Sequence, residues 1–170
     1  MGKKSVKRAK ESALRTIRSA MEACEKKGIK IVAEDWGVKI DEDKRSFVPD
    51  VNWAREKASV CALGALLVHK NGSVKFDAFR GSRPLSEVEA DETAAYVLGV
   101  DKSWVDLFVS GFDNSHPEDM STNYQELLGY DEVKRADGSY EYAFVKTSDP
   151  QVREHRRAYR MGKRLRDEFV

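Results

Sequence analysis

The stretch from Asp91 to Asp113, DETAAYVLGVDKSWVDLFVSGFD, limits what this chain can fold into more than any other. Its small and apolar residues stand where two helices meeting at a tight corner need them. Ala95 suits the close approach and Gly99 the turn, with Leu98, Val100, Val105 and Phe108 where the second helix packs on the first. That is the spacing of a helix-turn-helix. Ser86 followed by Glu89 forms a capping box, so one helix is predicted from Ser86 to about Leu98 and the next from Lys102 to Gly111. A DNA reader of this shape presents polar or basic groups to base edges and phosphates. Here the second helix offers Lys102 and Ser103 together with Asp101 and Asp106, and the first opens with Glu87, Glu89, Asp91 and Glu92. Carboxylates repel phosphate, whose neutralisation supplies most non-specific affinity. The spacing therefore predicts a structural helical corner rather than a reader of bases.

The remaining periodicities predict a mostly helical α+β chain of a single domain, residues 1–170, with one or two small β-hairpins. Val6 to Lys27 carries one apolar stripe, Leu14, Ile17, Met21 and Cys24, and stops at Lys26-Lys27-Gly28. Ile29, Ile31 and Ala33 alternate with polar residues, as do Trp36, Val38 and Ile40 after a change of phase. The polar turn Asp41-Glu42-Asp43-Lys44 then leads to a return strand at Phe47-Val48. Val60 to Val68, VCALGALLV, is apolar all round and rich in Ala and Leu, which predicts a buried helix. Pro49 to Ser59 reads as loop, Asn71-Gly72 as a turn, and Ser73 to Phe79 as a short strand or loop ahead of Gly81-Ser82-Arg83-Pro84. Tyr124 to Leu128 suggests one helical turn, and Asp137-Gly138 marks a hairpin between residues 130 and 144. Thr147 or Ser148 is expected to cap the last helix, with Pro150 in its first turn. That helix has an apolar stripe of Val152, His155, Tyr159, Gly162, Leu165 and Phe169, backed by a basic face that includes Arg156, Arg160 and Lys163.

Charge is segregated although the total is only +1. Residues 1–27 carry +6, residues 150–170 carry +4, and the middle carries −9. Basic ends suit an anionic partner, but they also suit an acidic body on which both terminal helices lie. For nucleic acid, Lys102, Arg156, Arg160 and Lys163 are the candidate contacts. The aromatics that single-strand platforms interleave with cations are missing from this helical face. The longest apolar run, Val60 to Val68, is about half of a membrane span. MGKKSVKRAKES has no apolar stretch behind its charges, and Ser5 falls one place short of a myristoylation pattern. Cys24 and Cys61 cannot form a disulfide framework. The expected setting is a reducing cytoplasm, with no membrane association.

No catalytic constellation emerges from the residue order. Cys61 begins the buried helix, where a thiol can be activated, but His69 lies about two turns away, and His116 and His155 could reach it only through the fold. A small buried cysteine is the simpler expectation. Asp113, His116, Glu118 and Asp119 gather metal-type ligands in a polar loop, a composition that turns produce without a metal. Asp41-Glu42-Asp43 lacks the spacing of a calcium loop, and there is no glycine-rich phosphate loop, GxSxG elbow or HExxH. Neither cofactor nor metal is expected.

Three pieces taken together carry a resemblance: CALGALL at Cys61–Leu67, LGVDKSWVDLFVSGFD at Leu98–Asp113 and YRMGKRLR at Tyr159–Arg166. With the early Trp36-Gly37 strand, the chain resembles small uncharacterised bacterial proteins that have a CALGAL helix, a WVxxFxxGFD segment and a terminal YRxG helix. The resemblance brings no activity. It implies that Cys61, Gly64, Trp104, Phe108, Gly111, Phe112, Asp113, Tyr159 and Gly162 pack as one unit, with Asp113 accepting hydrogen bonds from Tyr159 or an arginine of the last helix. The leading expectation is a non-enzymatic interaction protein with a protein partner. The alternatives are a nucleic-acid-binding protein using its basic terminal helices, and a metal-dependent or hydrolytic enzyme around Asp113 and His116.

Overall fold

The computed structural model describes residues 3–34, 36–41, 46–50, 58–70 and 83–170. These residues form a helical α+β architecture. At its centre is α2 (Ala62–Lys70), with Ala62, Leu63, Ala65, Leu66 and Leu67 all buried. Against it lies α1 (Lys3–Lys26), which buries Ala13, Ile17, Ala20, Met21 and Cys24 and leaves Leu14 at the margin. Polar side chains on the other face of α1 make the apolar stripe its only route to burial, which is why it packs by that stripe.

The small sheets close the other side of α2. Strand β1 (Lys30–Ile31) pairs in parallel with β4 (Ser59–Val60). Strand β2 (Val38–Asp41) pairs antiparallel with β3 (Ser46–Pro49), Ile40 standing opposite Phe47. The expected hairpin is therefore present, but β1 lies outside it. A third strand, β5 (Arg83–Pro84), joins the outer edge of β2 where loop was expected. Val60 also departs from expectation: it ends a strand instead of starting the helix, since two β-bridges to β1 hold the chain extended up to Cys61. The turn at 42–44, most of the loop at 49–59 and the segments at 71–72, 73–79 and 81–82 lie outside the described residues.

The corner forms where its spacing placed it. Helix α3 (Glu87–Leu98) begins with the reciprocal Ser86–Glu89 capping box and ends at Gly99, whose φ of +65° suits a residue without Cβ. Helix α4 (Lys102–Phe112) follows, burying Trp104, Val105, Leu107, Phe108, Gly111 and Phe112. A 3-10 turn at Pro117–Asp119 leads to α5 (Thr122–Leu128), longer than the single turn expected. Strands β6 (Tyr130–Lys134) and β7 (Tyr140–Phe144) form a separate antiparallel hairpin around Asp137-Gly138. Helix α6 (Pro150–Phe169) completes the order. Its cap is Asp149, whose carboxylate accepts from the Gln151 N–H; Thr147 instead accepts from the Asp149 N–H. Pro150 removes an N–H that needs no partner in the first turn.

Among the described residues two apolar clusters result. The larger joins α1, α2, the sheets, α3, α4 and the inner side of α6. The smaller holds Leu107, Leu128 and Tyr159, with Tyr124 and Tyr130 at its edge.

Candidate interaction surface

Helix α6 has two working faces, and its crossing with α4 sets both. A Cβ added at Gly162 would stand 2.0 Å from the Phe108 carbonyl oxygen, and one at Gly111 would stand 2.0 Å from that of Tyr159. Each glycine thus admits the backbone of the opposite helix. Trp104, Phe108 and Phe112 stack along the same side of α4, with centroids 5.6 and 6.4 Å apart. The resemblance-based unit is therefore only partly one unit. Gly111, Gly162, Phe108 and Tyr159 meet at this crossing, whereas Gly64 faces the Trp36 carbonyl, Val38 and Val60 on the far side of α2. Tyr159 belongs to the smaller cluster and donates to the Ser115 carbonyl at 2.8 Å, not to Asp113.

Asp113 has a different partner from either one expected. Its Oδ1 accepts from the backbone N–H of Glu34 at 2.9 Å, tying the end of α4 to the segment between β1 and β2. Glu34 and Asn114, beside Asp113, both adopt positive φ, near +63° and +60°. Burial pushes the Asp113 carboxyl up from its ordinary range, and the Glu34 hydrogen bond opposes that shift. Cys61 is buried, and its sulfur accepts from the Gly64 N–H at 3.3 Å, so it caps the start of α2. Among the described residues no group of three His, Cys, Asp or Glu is placed to hold a metal ion. Glu118, one of the loop carboxylates, instead accepts from the Tyr130 hydroxyl at 2.8 Å.

Lys102 is engaged within the corner. Its Nζ lies 2.8 Å from Asp106 Oδ1 and 3.7 Å from Asp91 Oδ2, while Tyr124 donates to Asp106 Oδ2 at 2.9 Å. Asp91 is only 8% exposed, and its Oδ1 has no hydrogen-bond partner among the described residues. Burial, reinforced by the neighbouring Asp106 charge, raises its carboxyl to about 7. Burial and the bond to Asp106 raise the Tyr124 phenol to about 12. Within this quartet Lys102 offsets the charge of Asp106 and part of that of Asp91.

The basic terminal helices are partly paired, and with each other. Arg157 of α6 reaches Glu11 of α1 at 3.6 Å, and Arg18 of α1 bonds Glu168 of α6. Arg156 turns inward: its guanidinium donates to the carbonyls of Leu128 (2.5 Å), Gly129 (2.9 Å) and Val145 (2.6 Å). It thereby clips both ends of the β6–β7 hairpin to α6, and it also lies 5.2 Å from the Phe144 ring centroid. Arg160, one turn further on, is exposed, and Lys163 lies over the Tyr159 ring at 5.6 Å.

The hairpin displays what the helical face lacks. Its register pairs Tyr130 with Phe144, Glu132 with Tyr142 and Lys134 with Tyr140, so these six side chains share one side. Tyr140, Tyr142 and Phe144 are 60, 56 and 39% exposed. Tyr130 stacks on Tyr142 with centroids 6.2 Å apart and meets Phe144 edge-on at 5.3 Å. Cations stand at both ends of the row, Lys134 over Tyr140 and Arg156 over Phe144. Period-two spacing of Tyr140, Tyr142 and Phe144 is visible in the sequence, but it does not say which side of the strand faces the body.

A cavity of about 410 Å³ opens between α5 and the start of α6, its walls including Asn123, Glu126, Gln151 and the buried His155. One of its two carboxylates, that of Asp149, is already the α6 cap. No described helix is long and apolar enough to cross a membrane. Compared with family models, curated proteins and solved structures, the chain matches none.

Proposed function

We propose that this chain is a binding protein rather than an enzyme, and that its contact surface is the aromatic side of the β6–β7 hairpin with the adjoining stretch of α6. One observation carries this reading: three large aromatics on a single face remain between 39 and 60% exposed while Arg156 of α6 bonds the hairpin at its base. Contiguous exposed apolar area on an otherwise charged chain marks a place where something docks. Aromatic side chains with cations beside them are the usual anchors of such surfaces. The partner class expected from the sequence, another protein, is one occupant of this surface, and an anionic polymer is the other.

Photo-crosslinking in cells tests the reading. A benzophenone amino acid placed at Tyr142 is expected to give a discrete adduct. The same group at Val88, which is 58% exposed on α3, is expected to give none. Equal labelling at the two positions, or no adduct at Tyr142, overturns the proposal.

A further inference from the structure

We infer that the occupant of this surface is single-stranded nucleic acid, an assignment that rests on the binding reading above and names its ligand class. Sequence-tolerant binding of single strands needs two things at once: flat aromatic faces on which successive bases stack, and cations that follow the backbone. The hairpin supplies the first in Tyr140, Tyr142 and Phe144, open to solvent in a row two residues apart. Alternate residues of one strand face lie about 7 Å apart, the distance a stretched single strand spans between neighbouring bases.

Helix α6 supplies the second. Arg153, Arg160 and Lys163 continue from the Arg156 clip at spacings of three and four residues, which keeps them along one side of the helix. Among the described residues Arg160 has no carboxylate within ion-pair distance, and Arg153 bonds only the Thr147 carbonyl. Their charge is thus left for an outside anion, unlike that of Lys102, Arg157 and Arg18. Glu132 is the one carboxylate of the strands themselves on the aromatic side, with Lys134 two residues along the same face, and Glu118 is engaged by the Tyr130 hydroxyl at the base of the row. A base-stacking ligand must run from the hairpin tip at Lys134 toward its base at Phe144 and then onto α6. A folded protein anchors on such rings singly, whereas rings repeated at a two-residue interval beside a line of cations match a ligand whose bases and phosphates repeat in the same way.

Fluorescence anisotropy with labelled oligo(dT) and oligo(rU) of about ten nucleotides tests the assignment on the full chain. Binding is expected at about 50 mM salt and is expected to weaken steeply by about 200 mM. Tyr142→Ala and Tyr140→Ala should each lower affinity about tenfold, while Tyr142→Phe keeps it. Arg160→Glu should weaken binding and flatten its salt dependence, and Glu132→Gln should tighten it. Unchanged circular dichroism and melting temperature would show that each variant remains folded, since all four side chains lie on the outer surface or hairpin face. Absence of binding at low salt overturns the inference. So does binding that Arg160→Glu weakens but Tyr142→Ala leaves untouched, because that is attraction without stacking. A crosslink from position 142 to protein alone overturns the inference while leaving the binding reading in place; no crosslink at all removes both.

Discussion

Helix α6 touches aromatic residues in two places and uses them in opposite ways. At its crossing with α4, Phe108 and Phe112 are sealed and two glycines bring the backbones into contact. At the hairpin, Tyr140, Tyr142 and Phe144 stand in water, and a single arginine holds the strands in place. The crossing is built from shape, with no room to give. The hairpin is joined to α6 through three carbonyl bonds, and a two-stranded sheet has little stability of its own. The same residue types are thus sealed inside the core at the crossing and left partly open to solvent at the hairpin.

The largest effect should come from disturbing the crossing. Gly162→Ala places a methyl group 2.0 Å from a backbone oxygen, which no side-chain rotation relieves. The helices must part, at a cost of about 3 kcal/mol or more. Urea unfolding of Gly162→Ala and Gly111→Ala is expected to show this for both; a loss under about 1 kcal/mol would mean that the crossing is looser than the distances imply.

Removing the clip should do less to the whole and more to the part. Arg156→Ala removes the side-chain donor to three carbonyls, of which that of Gly129 keeps its bond from the Val145 N–H, and is expected to cost about 1–3 kcal/mol. Hydrogen exchange should show residues 130–144 losing protection while α4 keeps its own. Uniform loss over both regions would make the hairpin part of the core and erase the contrast between the two.

Asp91 sharpens the comparison at the rim of the corner. Its folded carboxyl sits near 7 against an ordinary 3.8. The folded state therefore holds a proton that the unfolded chain releases between those values. The contribution of Asp91 to stability is greatest below about pH 4, falls as pH rises toward 7 and is flat above it. Asp91→Asn keeps the shape without the charge, so it should remove that slope and add about 2 kcal/mol at pH 8. Chemical denaturation at pH 5 and pH 8 measures it; a wild-type chain equally stable at both would show that Asp91 is ionised throughout.

The smallest effect on stability belongs to the exposed rings. Tyr140→Ser and Tyr142→Ser are expected to shift unfolding by no more than about 0.5 kcal/mol, since neither ring packs on the body. A large loss in thermal melts would place the rings in the fold and take away their role in binding.

Much of the helical framework was legible in the residues. The α3–α4 corner, the all-round apolar α2, the stripes of α1 and α6 and the Asp137-Gly138 hairpin follow from periodicity, capping and turn chemistry, all of them local. Where expectation and structure part, a distant segment intervenes. Val60 reads as helix but is held extended by Ile31. Arg83-Pro84 reads as loop but meets the edge of β2. Asp113 bonds Glu34, seventy-nine residues away, in place of Tyr159 or an arginine of the last helix.

The surface followed the same division. The sequence by itself determined which helices form, which face of each is apolar and that the ends are basic, because those properties depend on neighbours three or four residues apart. Only the tertiary structure decided which charges remain outward. Arg156, equal to Arg160 as a cation in the sequence, is consumed by carbonyls of other elements, and Lys102 is held between Asp106 of its own helix and Asp91 of α3. Only the fold decided, too, that the aromatic side of the hairpin faces water. Strand alternation separates two faces but cannot choose between them; docking of the hairpin ends on α6 made the choice.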